Sequence, residues 1–290
     1  MTFKTAWLVA VLSVSIAGAA RAQRYGAAAE PYAITKDEWP DEVLRRPLTL
    51  AQGLAQLTLP VTFNLSNGSE GQPVYVPAIL AFGVTDAFTV AINHDTGICL
   101  SGTSNGCPKV YNDIGLQGFL SMSPRGAFQS ALVVGVQAAS LRDPFAAAAV
   151  VGFDSRYSTG TVALRFDPRL AIGFAERDAL VSSRPVPVAL DFHGAPIVAG
   201  NRESLFLPVA LQLQATRNIA LTVGSGIAVQ LDPLVGSASD TLSVPLGISA
   251  AFTTSRVDLG ASFGFANLRG SGAASGTDVR TGQVFASLRI

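Results

Sequence analysis

The sequence predicts an all-β fold, a single antiparallel up-and-down transmembrane β-barrel of about twelve strands. Three observations predict it. The first is a period-two pattern that persists to the C-terminus. Leu242, Val244, Leu246, Ile248, Ala250 and Phe252 alternate with Ser243, Pro245, Gly247, Ser249 and Ala251. One face of such a strand is apolar, and the other is small or weakly polar. The second is composition. The chain is 49% hydrophobic and only 14% charged, against about 25% charged in a typical soluble domain. Yet beyond its leader it has no apolar run of the roughly 18 residues that a spanning helix needs. A barrel reconciles the two, because it carries its hydrophobicity in alternation rather than in runs. The third is the order of connections, in which tight turns alternate with long loops, as in barrels with short periplasmic turns and long external loops.

The first 22 residues read as a secretory signal. Lys4 supplies the positive start, 7–19 the apolar stretch, and Ala20-Arg21-Ala22 the small-residue cleavage site, with Gln23 as the mature N-terminus. Residues 23–47 form a polar segment in which Lys36, Asp37, Glu38, Asp41, Glu42, Arg45 and Arg46 crowd together. It is read as a solvated periplasmic tail, with a plug folded back into the barrel mouth as the sharper alternative. Thr35-Lys36-Asp37-Glu38 fits a capping box and predicts a short helix.

Residues 48–290 are assigned to the barrel. Strands are predicted at 54–65, 73–84, 87–98, 110–122 and 127–139. Residues 140–158 read as a loop, an inserted helix or a strand extension. Strands follow at 161–166 and, after a turn at Asp167-Pro168, at 169–182. A long Pro-rich connection leads to strands at 205–213, 219–231, 241–252, 257–268 and 279–290. An even strand number puts both termini on the periplasmic side.

The chain has two cysteines, Cys99 and Cys107, separated by a polar Gly/Ser loop. In an exported protein they are expected to form a disulfide that pins the loop. Two thiolates without neighbouring His or Cys leave zinc short of ligands.

The signal ending Ala20-Arg21-Ala22, the alternating strands from Leu54 onward and the terminal strand 279–290 together resemble a Gram-negative outer-membrane β-barrel of the porin or small-channel type. Arg46-Pro47-Leu48-Thr49-Leu50 also resembles the lead-in to the first strand of some such barrels. The resemblance covers 47–290 and is architectural. It implies outer-membrane lipid around the barrel and recognition of the C-terminal strand by the barrel-assembly machinery. Ile290 stands where such barrels commonly carry Phe or Trp.

If the apolar face meets lipid, the other face lines a lumen. The residues in lumen phase include Gln212, Gln214, Arg165, Arg177, Asp258 and Arg289. Arginine slightly outnumbers acid there, which reads either as a weak anion preference or as arginines that anchor the rim. No catalytic role is expected: His94 and His193 fall in loops, and nothing resembles the Ser/His pair of twelve-strand outer-membrane phospholipases. No phosphate loop, dinucleotide fingerprint or metal cluster is present, so no cofactor is expected. With 20 basic and 20 acidic residues there is no electrostatic case for nucleic acid. Three readings remain: a passive channel for small polar solutes, a non-conducting barrel that acts through its long external loops, or a soluble secreted β-protein, which predicts extraction without detergent.

Overall fold

The computed structural model describes residues 34–66, 68, 70–94, 97–102, 112–178, 201–270 and 276–290. The signal segment, Cys107, His193 and the first residues of the predicted strand at 110–122 lie outside them.

One continuous antiparallel sheet carries the fold. Its strands are β1 (Ala55–Asn64), β2 (Val74–Val76), β3 (Ile79–Thr85), β4 (Phe88–Asn93), β5 (Ile98–Ser101), β6 (Ile114–Ser123), β7 (Phe128–Ser140), β8 (Ala146–Thr159), β9 (Val162–Phe166), β10 (Arg169–Ala175), β11 (Ser204–Thr216), β12 (Ile219–Gln230), β13 (Leu246–Thr253), β14 (Val257–Phe265) and β15 (Arg280–Arg289). β2 with β3, β4 with β5, and β9 with β10 each make one interrupted crossing, so the sheet makes twelve crossings. It closes on itself where β1 pairs β15, from Gln56 opposite Arg289 to Asn64 opposite Thr281. Closure removes the free edges that an open sheet would leave at β1 and β15. Beyond the ladder, Ala55 and Ile290 exchange both backbone hydrogen bonds, at 2.9 and 3.0 Å.

Alternation sets the two faces. On β1, Leu57 and Leu59 are exposed, while Gln56 and Thr58 are buried inside. The same division holds at Leu211 beside Gln212, and at Leu288 beside Ser287 and Arg289. Each crossing thus presents an apolar outer surface, and the polar partners turn inward.

The strand count agrees with expectation, but two assignments behind it do not. The undecided stretch 140–158 contains β8, a full crossing. The two strands expected at 161–166 and 169–182 are one crossing, β9–β10. Asp167-Pro168 interrupts its ladder without reversing the chain: Asp167 N–H donates to Pro208 O and Phe153 N–H to Pro168 O. The errors offset one another. With them corrected, connections at one end are 86–87, 124–127, 160–161, 217–218 and 254–256, and at the other 65–73, 102–113, 141–145, 176–203, 231–245 and 266–279. The separation into short and long ends is complete, and Ile290 lies at the short end.

The barrel wall starts at Ala55, not at 48. Residues 34–54 lie within the short-turn end instead of extending away from it. The predicted helix is a single 3-10 turn at Lys36–Glu38. Thr35 makes no backbone cap there; its hydroxyl donates to the Glu38 carboxylate at 3.2 Å. A second 3-10 turn follows at Val43–Arg45. No helix among the described residues is long and apolar enough to cross a membrane.

Candidate functional site: the barrel interior

The interior has two unlike walls with residues 34–54 between them. Along β3, β4, β6 and β7, the inward residues Ala81, Ala91, Phe119 and Val133 form an apolar cluster with Trp39, Leu50, Ala51 and Leu54. An apolar patch on the inner face of a barrel is useful only if something apolar covers it, and this segment does. Polar contacts fix its register. Leu50 N–H donates to Thr89 Oγ1 at 2.7 Å, Thr49 Oγ1 to Asp86 O at 2.8 Å, and Gln52 N–H to Asp86 Oδ1 at 2.9 Å. From β8, the buried Arg156 donates to Val43 O at 2.9 Å, to Arg46 O, and to Gln129 Oε1 at 2.8 Å.

The opposite wall, β11–β15, meets the segment mainly through charge. Arg46 donates two hydrogen bonds to Asp258, at 2.7 and 2.9 Å. It also donates to Thr254 O, and to Pro40 O and Asp41 O of its own segment. Arg289 donates to the same Asp258 carboxylate, and to Gln56 Oε1 at 2.8 Å. Asp258 thus sits between two guanidinium groups, all three nearly fully buried. Charges this deep persist only when paired and hydrogen-bonded.

Five of the six residues predicted to face the lumen are buried on the inner face: Arg165, Gln212, Gln214, Asp258 and Arg289. Arg165 pairs with Asp167 at 2.7 Å. Gln214 Nε2 donates to Thr216 O at 2.8 Å. Arg177 is the exception. It lies beyond β10 at the long-loop end, its side chain 40% exposed, and pairs there with Glu203 and with Asp232 at 2.9 Å. A strand expected to run to 182 put it in lumen phase; β10 ends at Ala175. Cys99 lies on β5, and its expected pairing with Cys107 falls outside the described residues. His94 is half-buried, its Nδ1 3.1 Å from Asp113 O.

Sequence reasoning missed Arg46, Asp154, Arg156, Arg169 and Phe285. Arg169 shares the parity of Arg165, and that alone identifies it as inward; it pairs with the buried Asp154. Asp154 and Arg156 fall in the stretch left unassigned. Phe285 turns inward between outward Val284 and Ala286, over Gly260, where a Cβ would stand 2.3 Å from its ring. The inward acids Asp258, Asp154 and Asp167 each hold an arginine, while Arg156 meets neutral acceptors, so among the described residues inward arginine still outnumbers inward acid.

The Arg177–Glu203 contact makes a pH prediction. Hydrogen bonding from Arg177 holds the Glu203 carboxyl below its ordinary value of 4.5. A depressed carboxyl contributes stability above the ordinary value, which is lost as pH falls through the lowered one. Acidification below pH 4.5 is expected to expose the peptide bonds around Arg177 and Arg202 to an acid-active protease, and Glu203→Gln to expose them to trypsin already at neutral pH. Equal cleavage of both chains at all pH values would refute it.

No protein-family model and no curated protein matches the chain by sequence. Solved structures do match in fold. The NanC porin aligns over 81% of this chain and all of its own, with a TM-score of 0.53 at 4% identity. An outer-membrane channel from Pseudomonas putida F1 aligns over 83% of this chain and 97% of its own, with a TM-score of 0.50 at 13% identity. The chain shares the closed barrel architecture of outer-membrane porins and channels.

Proposed function

We propose that this protein is a bacterial outer-membrane channel that passes small polar solutes through a narrow lumen. The observation that carries the reading is the division of the closed barrel's two faces. Leucine, valine, isoleucine and phenylalanine cover its outside, while glutamine, threonine, serine and charged side chains line its inside around the apolar patch that the inner segment covers. Only a wall with lipid outside and a polar core favours that inversion of a soluble domain. On this reading the short turns and both termini face the periplasm, and β15, which closes the barrel on β1, is the strand that the assembly machinery receives. The fold shared with outer-membrane porins supports the same assignment.

One observation favours the second reading, a non-conducting barrel that works through its long loops: residues 34–54 occupy the short-turn end. Planar-bilayer recording decides between them. The channel reading expects discrete conductance steps from protein whose folded state is verified by heat-modifiable gel mobility. Folded protein that stays silent, together with every variant described below, would leave the loop-based reading. Extraction without detergent would overturn both.

A further inference from the structure

The segment inside the barrel is held unequally on its two sides. Towards β3–β8 Trp39, Leu50 and Leu54 pack in the apolar cluster and Arg156 clamps its carbonyls. Towards β11–β15 it touches the wall at Ala220 and through Arg46, and beside these contacts lies a cavity of about 20 Å³, room for a water molecule. Gln212, Thr222, Ser249 and Thr253 line the wall side of that cavity, and Val43 and Arg46 line the segment side. Gln212 Oε1 and Thr253 Oγ1, both buried, have no hydrogen-bond partner in the protein. This cavity marks a polar path on the β11–β15 side of the segment.

We propose, building on the channel reading, that solutes pass between the segment and the β11–β15 wall, and that the Arg46–Asp258 pair is the gate across this path. Three features make the pair separable. It joins the segment to the wall, whereas Arg289 and Asp258 both belong to the wall. When Arg46 leaves, Asp258 keeps Arg289 and Arg289 keeps Gln56, so the wall retains its partners. The polar side chains along the path supply hydrogen bonds to whatever takes the place of Arg46. Asp41 adds an outer tie, accepting from Ser255 N–H at 2.7 Å and from Arg217 at 2.9 Å; Arg217 is mostly exposed, so solvent screens that tie. The buried pair is the inner closure.

The test is single-channel recording of the full chain with Arg46→Ala, each preparation shown folded by heat-modifiable mobility. Conductance is expected to rise severalfold over the parent. In the Arg46→Ala background, a cationic thiol reagent is expected to reduce the current at Ser249→Cys and to leave it unchanged at Ala91→Cys, which lies under the apolar cluster. The parent chain with its own two cysteines is the reagent control. Conductance equal to the parent's, or block at position 91 and not at 249, overturns the gate while leaving the channel reading intact. Silence in all these folded proteins overturns the channel reading itself. Should Arg46→Ala not fold, Arg46→Lys carries the same test, since it keeps the charge but cannot donate both hydrogen bonds to Asp258.

Discussion

Asp258→Ala is expected to lower the stability of the folded barrel by about 3–5 kcal/mol, the usual cost of leaving buried charges without their counter-charge. The carboxylate accepts from Arg46 on the inner segment and from Arg289 on the closing strand. Its removal sets two buried guanidinium groups face to face, neither able to accept a hydrogen bond. Asp258→Asn keeps the shape but not the charge and is expected to fall between the parent and the alanine variant. Arg46→Ala leaves an Asp258–Arg289 pair and is expected to cost much less than Asp258→Ala. Urea titration followed by the folded gel band measures all three. Equal midpoints for Asp258→Ala and Arg46→Ala would show that the carboxylate does not join the seam to the segment.

Gly83→Val is expected to drive residues 50–54 off the inner wall. Gly83 faces inward on β3, and a Cβ there would stand 2.0 Å from Ala51 O and 2.8 Å from Leu50 O. Both are backbone atoms, so no side chain can swing aside, and overpacking of this kind costs about 1–3 kcal/mol. The glycine also exchanges backbone hydrogen bonds with the segment's end, donating to Leu54 O and accepting from Gly53 N–H. In a chain that starts at Gln23, Trp39 is the sole tryptophan, and it is 3% exposed. Its emission should shift to the red in Gly83→Val, and trypsin should cut after Arg45. An unchanged spectrum with an uncut segment would rule out the contact.

The wall was legible because one physical rule governs it: the outside must satisfy lipid and the inside must not. Where that contrast is strong, as at Leu211–Gln212–Leu213 or Ser287–Leu288–Arg289, position in the alternation determines the face. It fails where both faces carry the same residue. In 146–149 four alanines in a row hide the parity of β8, and Asp154 and Arg156 were lost with it. Proline misled for another reason. Asp167-Pro168 reads as a turn because Pro has no N–H for the ladder, but here the neighbouring backbone bridges the gap. Residues 34–54 answer to no period at all. Their partners are inner faces of several different strands, so Trp39, Val43, Leu48, Leu50 and Leu54 fall at the spacing that those faces dictate. With charges packed between them, such a stretch looks like a solvated tail.

The segment runs without a break through Gly53 and Leu54 into β1, where Gly53 takes the left-handed φ of +77°. It is thus a ligand tethered to its own receptor. After release it stays within reach of the mouth, at an effective concentration on the order of millimolar for so short a tether. Rebinding is unimolecular. The fraction of open barrels is then fixed by the strength of the seat alone and is indifferent to how dilute the protein is in its membrane.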